Sequence, residues 1–161
     1  MAPLPPEARA RALRATLASL QRRRNKLAHP TPGDLATALS RDVRQTPALR
    51  LIDEALAEAV ETGGRLIITI PPQEGKSSRV AVWLPIWALV RNPDTRIVSA
   101  SYAESLAKRN SRTARDIVAA HGTGGVDAVT GLPIPDRLGI RVADGYSSAV
   151  AWSVEGYEGS Y

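Results

Sequence analysis

The stretch Arg65-Leu-Ile-Ile-Thr-Ile-Pro-Pro-Gln-Glu-Gly-Lys-Ser-Ser78 decides the fold that this sequence predicts. Its first six residues are mostly apolar and β-branched without polar alternation, as in a central strand of a parallel sheet. Pro71 and Pro72 end this strand, because proline has no N–H to donate to a sheet ladder. A helix is then expected to begin around Lys76. A strand, a tight turn with Gly-Lys-Ser and a helix predict a loop that binds a nucleoside triphosphate.

The chemistry expected of this loop depends on three consecutive residues. Gly75 lets backbone N–H groups close around phosphate oxygens, Lys76 reaches the β and γ phosphates, and Ser77 holds Mg²⁺. The N-terminus of the following helix favours an anion. The alternative is a strand-to-helix turn with an incidental lysine, since Ile70 stands where the pattern G-x-x-x-x-G-K-[ST] has glycine. The predicted nucleotide-binding residues are Pro72, Gln73, Glu74, Gly75, Lys76, Ser77 and Ser78.

The composition narrows the class of protein. A length of 161 residues with 43% hydrophobic content fits one domain with a core of its own. The chain has no cysteine, so the sequence predicts neither disulfides nor a thiolate metal site, and it fits a reducing compartment. His29 and His121 are too far apart in sequence to suggest a histidine metal centre. No run reaches the roughly 18 apolar residues of a membrane span, and the N-terminus lacks the apolar core of a signal peptide.

The positive charge is concentrated near the N-terminus. Seven basic residues and one acidic residue lie between Glu7 and Lys26, giving that segment +6 within a chain of net charge +5. The segment reads as a helix from Glu7 to Leu27 with four leucines near one face. It either packs on the domain or a partner, or contacts nucleic acid phosphates. The candidate nucleic-acid-binding residues in it are Arg22, Arg23 and Arg24.

Further helices are expected on both sides of the loop. One spans Asp34 to Val43, and a second begins at Pro47 with Thr46 as its N-cap and ends at Gly63-Gly64. After the loop, the apolar run from Ser78 to Val90 predicts a buried helix that Pro85 kinks or splits. Its two tryptophans, Trp83 and Trp87, are expected in the core.

The second half of the chain predicts another strand and helix. Thr95 to Ala100 reads as a second apolar strand, and Ser101 to Glu104 has the spacing of a capping box for a helix that runs to about Ala120. The basic residues on the outer face of this helix are either solvated or face phosphates; the candidates are Lys108, Arg109 and Arg112. Leu138–Val142 and Ala149–Val154 read as a hairpin around Asp144-Gly145.

These elements predict an α/β fold of the P-loop NTPase type, with a partial parallel sheet in three layers. N-terminal helices precede the sheet and a β-hairpin follows it. The predicted segments are a basic helical arm (1–30), a helical lead-in (31–64), a nucleotide-binding core (65–120) and a Gly-rich segment with the hairpin (121–161).

Several motifs in a fixed order resemble the large terminase subunits of tailed bacteriophages. In that family a Pro-Pro-x-x-Gly-Lys-Ser loop without the leading glycine is usual, which accounts for Ile70. The resemblance covers roughly Arg44 to Ala120. The motifs are Arg44-Gln-Thr-Pro47, Ile68-Thr-Ile-Pro-Pro-Gln-Glu-Gly-Lys-Ser-Ser78, Trp83-Leu-Pro-Ile-Trp87, Asn92-Pro-Asp94 and Val98-Ser-Ala-Ser-Tyr-Ala-Glu-Ser-Leu-Ala107.

The resemblance implies an ATPase of the ASCE P-loop class that uses ATP and Mg²⁺ to drive viral DNA into a procapsid. Its implied partners are double-stranded DNA, the small terminase subunit and the portal or procapsid, in an oligomeric ring in the host cytoplasm without a membrane. By position, Gln45 would contact adenine. Gln73 stands where many members have an arginine that could stabilise transition-state charge.

One expected element of that family is missing from the sequence. The resemblance implies an apolar strand ending in an acidic pair that holds Mg²⁺ and orients water, and a nuclease domain after it. The late acidic residues, Asp127, Asp136, Asp144, Glu155 and Glu158, all lie in Gly-rich or hairpin contexts. The sequence therefore predicts the front part of a terminase, from a truncated or split reading frame, that binds ATP with little or no hydrolysis alone. The alternatives are a non-catalytic DNA- or protein-interaction module and another helicase-like P-loop ATPase.

Overall fold

The computed structural model describes residues 5–127, 129–147 and 151–161, and it is mostly helical. Its elements follow one another with short connections. They are α1 (Pro6–Ala28), α2 (Pro32–Leu39), α3 (Pro47–Thr62), α4 (Lys76–Ser78), a π-helical turn (Arg79–Trp83), α5 (Leu84–Arg91), α6 (Glu104–His121), β1 (Val142–Ser147) and β2 (Trp152–Val154).

Local capping sets the ends of the two helices that precede the loop. Thr31 and Asp34 form a reciprocal capping box at the start of α2. At the start of α3 the Thr46 side chain accepts a hydrogen bond from the backbone N–H of Leu49. Gly63 ends α3 with φ of 74°, a left-handed conformation that glycine adopts without strain. The predicted cap and stop of α3 are confirmed.

The apolar run after the loop forms one continuous helical stretch that contains a π-helical turn directly before α5. Pro85 has no N–H, so it cannot bond the carbonyl of Ala81 four residues earlier. The hydroxyl of Tyr161 donates to that carbonyl at 2.6 Å instead. The N–H of Leu84 reaches back five residues to Arg79, which is the π-helical bond. The predicted interruption at Pro85 thus takes the form of a local π-turn.

The predicted three-layer parallel sheet is wrong. The only sheet in the described residues is the antiparallel pair of β1 and β2, with Val142 opposite Val154. Neither Arg65–Ile70 nor Thr95–Ala100 forms a strand; the second makes a single bridge, between Arg96 and Ser160. A central strand requires hydrogen-bonding neighbours on both sides, and an apolar pattern does not supply them.

The segment Arg65–Ile70 instead lies against α3 on one side. Ile68 and Ile70 are partly buried against the cluster of Leu49, Ile52 and Leu56. Ile67 points away from this cluster and is 94% exposed. The apolar pattern therefore marks packing on a helix, and not the interior of a sheet.

The larger core forms around the helical stretch that follows the loop. Trp83 and Trp87 are buried there, as predicted, together with apolar residues of α2, α6 and the C-terminal pair of strands. Trp152 meets Tyr161 edge to face at 6.0 Å between ring centroids. The C-terminal hairpin is present with shifted bounds, since Asp144 and Gly145 lie inside β1. Its predicted second strand begins at residues outside the described range.

Helix α6 begins later than the sequence predicts. Its N-cap is Ala103, which makes no side-chain capping bond, so the predicted capping box from Ser101 to Glu104 is wrong. Glu104 instead pairs with Lys108 one turn later, at 2.7 Å. Across the described ranges, no helix combines the length and the apolar character needed to cross a membrane.

Candidate functional site

The loop between Pro72 and Ser78 has an unusual backbone. Gln73 has φ of 67° and is the only non-glycine residue with positive φ in the part of the chain described. Gly75 is also left-handed, with φ of 83°, and serves as the N-cap of the helical stretch that begins at Lys76. A left-handed glutamine costs about 1 kcal/mol or more and persists only where its surroundings hold it. Such strain is common at ligand-binding sites.

The loop is open to solvent. Six of its seven residues are exposed, and Lys76 is half-buried. The first N–H groups of a helix have no acceptor within the helix, so those of Lys76, Ser77 and Ser78 are available to a ligand. The first helical bond beyond the loop runs from the N–H of Arg79 to the carbonyl of Gly75, at 3.0 Å. Lys76 makes no ion pair with any described residue.

A cavity of about 340 Å³ lies between this loop and the N-terminus of α3. Gln73, Glu74 and Gly75 line one side, and Arg44 and Thr46 line the other. The structure thus brings the Arg44-Gln-Thr-Pro47 segment to the loop, although 25 or more residues separate them in sequence. The cavity extends from the loop towards the start of α3.

A buried polar cluster forms the floor of this region. Nε of Arg79 lies 2.9 Å from Oδ1 of Asp53, and both side chains are almost completely buried. Gln45 connects the two, since its Nε2 donates to Asp53 Oδ2 at 2.8 Å and its Oε1 accepts from Arg79 Nη2 at 2.6 Å. We call Gln45, Asp53 and Arg79 the buried triad. The triad connects the residues directly before α3, the middle of α3 and the π-helical turn.

Burial dominates the electrostatics of the triad. It raises the pKa of Asp53 more than the hydrogen bond from Gln45 and the charge of Arg79 lower it. Burial likewise lowers the pKa of Arg79, and the nearby Asp53 opposes that change. Nη1 of Arg79 is buried without a hydrogen-bond partner among the described residues. The buried charges of Asp53 and Arg79 therefore each depend on the other for compensation.

Helix α2 closes over the triad through a glycine. A Cβ atom placed on Gly33 would lie 1.9 Å from Asp53 Oδ2 and 2.9 Å from Gln45 Nε2. A side chain at residue 33 would not fit there. Glycine at this position permits the close approach of α2 to Asp53 and Gln45.

The predicted adenine contact, Gln45, is near the loop but its amide is engaged. Both polar atoms of its side chain bond within the triad. In this arrangement Gln45 fixes Arg79 and Asp53, and its neighbours Arg44 and Thr46 face the cavity. The predicted Mg²⁺ ligand, Ser77, is exposed at the start of the helix.

The predicted nucleic-acid contacts fall into two groups. Arg22 is engaged within the protein, donating to the carbonyl of Gly139 at 2.7 Å and to the hydroxyl of Tyr157 at 2.8 Å. Lys108 pairs with Glu104. The other candidates are exposed and make no ion pair or side-chain hydrogen bond within the described ranges; they are Arg23, Arg24, Arg109 and Arg112.

Asp53 and Arg79 are not predicted from the sequence as site residues. A signal was present for Asp53, since it lies one turn from both Leu49 and Leu56 on the apolar face of α3. A charged residue on such a face requires a buried partner. Arg79 carried a weaker signal, as the first charged residue at the start of an apolar run.

The described residues contain no group of three or more His, Asp or Glu side chains placed to hold a metal ion. Comparisons of this chain with protein-family models, with curated proteins and with solved structures found no match.

Proposed function

We propose that this chain binds the triphosphate of ATP, with Mg²⁺, at the loop Pro72–Ser78. The observation that carries the proposal is the pair of left-handed residues, Gln73 and Gly75, directly before a helix N-terminus. Backbone turns of this kind direct successive N–H groups towards one point and form concavities for anions. The partial positive charge of the helix N-terminus adds to the attraction.

Two side chains of the loop have a role in this proposal. Lys76, half-buried and without an ion pair to any described residue, neutralises the β and γ phosphates. The exposed hydroxyl of Ser77 is a ligand for Mg²⁺, a cation that prefers oxygen. The nucleoside lies in the cavity towards Arg44 and Thr46. The parallel sheet of a P-loop NTPase forms no part of the proposal.

The wider role we propose is in the packaging of viral DNA, and the order of the sequence motifs is its sole support. Double-stranded DNA is the partner proposed for the exposed arginines of α6, Arg109 and Arg112. They are three residues apart and so lie on the same side of the helix. We propose the small terminase subunit and the portal as further partners on the same support.

Calorimetric titration of Mg·ATP into the full chain tests the site. We expect weak binding that Lys76→Ala reduces at least about tenfold, because one charge-assisted phosphate contact contributes about 1.5–3 kcal/mol. Lys26→Ala, which removes an exposed lysine of α1, is the matched control and should bind as the wild type does. Equal binding by wild type and Lys76→Ala would reject the loop as the site.

A DNA-binding role without nucleotide is the second candidate, favoured by the four exposed arginines that pair with no described residue. A duplex DNA mobility shift that weakens with salt and survives Lys76→Ala, but is lost in Arg109→Glu/Arg112→Glu, would support it. A shift unaffected by that double substitution would exclude α6 as the surface.

A further inference from the structure

Helix α1 is attached to the rest of the protein by its polar side. Asn25 is buried and donates to the carbonyl of Arg137 at 2.6 Å, and Gln21 reaches the same carbonyl. Arg22 bonds Gly139, and the backbone of Ala18 closely approaches that glycine. These residues recur every three or four positions, so they mark one face of the helix.

The leucines of α1 lie on the opposite side and are exposed. Their exposed fractions are 61% for Leu13, 56% for Leu17, 53% for Leu20 and 86% for Leu27. None of them belongs to either hydrophobic cluster of the protein. Amphipathic helices of single domains normally bury the apolar stripe, so this reversed arrangement leaves a surface that the described residues do not cover.

The spacing of these residues is that of a coiled-coil seam. Leu13, Leu17, Leu20, Arg24 and Leu27 follow one another at intervals of four, three, four and three residues. This alternation places the leucines at the a and d positions of a heptad repeat, with Arg24 at an a position. We call these five residues the leucine seam.

Charge at the flanking positions determines the kind of partner. Between residues 9 and 28, the positions beside the seam hold Arg9, Arg14 and Arg23, and neutral residues elsewhere. Two copies of α1 would bring these arginines together in either orientation, which opposes self-association. A helix with acidic residues at the same positions would form ion pairs across the interface.

We propose that the leucine seam binds an acidic helix of another protein, with leucines in heptad spacing, as a short two-stranded coiled coil. Arg24 favours this partner over a lipid surface. It interrupts the centre of the apolar stripe, which opposes insertion into a membrane, whereas a coiled coil accepts one polar a position that fixes the register. The seam spans about two heptads, so the complex is weak and reversible.

Fluorescence anisotropy with synthetic three-heptad peptides and the full chain tests the proposal. The first peptide carries leucine at the a and d positions, except for one a position that carries glutamate. Its e and g positions all carry glutamate. A second peptide has lysine at e and g. A third has the charges of the first but serine in place of leucine. We expect the first peptide to bind at least about tenfold more tightly than either of the others.

Substitutions in α1 complete the test. Leu13→Ser/Leu20→Ser should abolish binding of the acidic peptide, and Leu51→Ser, an exposed leucine of α3, should leave it unchanged. Arg9→Glu/Arg14→Glu/Arg23→Glu should transfer the preference to the lysine peptide. Circular dichroism should show each variant folded, since these side chains are exposed. Equal binding of the three peptides, or binding of phosphatidylserine vesicles without the acidic peptide, would overturn the proposal.

Discussion

Arg79→Met is expected to destabilise the protein by about 3–5 kcal/mol, the range for removing one partner of a buried ion pair. The substitution leaves the carboxylate of Asp53 in a fully buried position with Gln45 as its remaining partner. Urea denaturation followed by circular dichroism measures the loss. Arg96→Ala is the matched control, because the Arg96–Glu158 pair is more than 70% exposed and should contribute less than about 1 kcal/mol.

A second substitution separates pairing from packing. Asp53→Leu/Arg79→Met removes both charges and should recover part of the stability, since apolar replacements of buried pairs are often neutral, whereas the amide of Gln45 loses both of its partners. The stability of Arg79→Met should also fall with rising pH. Burial raises the pKa of Asp53 above its ordinary value near 3.8 and the charge of Arg79 lowers it, so removing Arg79 leaves burial to raise that pKa further. The folded variant then holds a proton that the unfolded chain releases, and its stability declines as pH rises from the ordinary pKa to the raised one. Equal losses for Arg79→Met and Arg96→Ala would contradict the buried triad.

Trp87→Ala should cost about 3–5 kcal/mol, the range for removing a large side chain from a close-packed core. Trp87 is 1% exposed, and its indole N–H donates to the carbonyl of His29 at 3.0 Å. The guanidinium of Arg91 lies 4.4 Å from its ring. The residue therefore joins α5 to the segment between α1 and α2.

Trp87→Phe should cost less than Trp87→Ala, because it keeps an aromatic ring and loses the hydrogen bond to His29. Tyr102→Ala is the control, since Tyr102 is 97% exposed and its removal should change the free energy of unfolding by less than about 0.5 kcal/mol. Thermal or urea unfolding of the three variants gives the order of their losses in the free energy of unfolding. A cost for Trp87→Ala as small as that of the control would show that α5 does not form the core.

Helices α1 and α3 were predictable because their signals are local, whereas α2 ends at Leu39 and not at Val43 as the sequence predicts. The sequence places α1 from Glu7 to Leu27, and the helix spans Pro6–Ala28. Thr46, Pro47 and Gly63 each act on the backbone within a few residues of themselves, so the bounds of α3 follow from residue types alone.

The sheet could not be predicted in the same way, since a strand exists only through its neighbours. Arg65–Ile70 has the composition of a buried strand, yet Ile68 and Ile70 pack on a helix while Ile67 is exposed. The loop at Gln73–Ser78 was apparent from residue types. The triad was not, because Gln45 and Asp53 meet Arg79 only after the π-helical turn has packed against the start of α3.

Backbone amide shifts in a titration with Mg·ATP test the nucleotide site most directly. In ¹⁵N-labelled full chain, we expect the largest and saturable changes at the amides of Gln73 to Ser78, with smaller changes at Arg44 and Thr46 beside the cavity. Lys76→Ala should remove them at the same ATP concentration. Changes centred away from Gln73–Ser78, or none at millimolar Mg·ATP, would contradict the proposal that this loop holds the triphosphate.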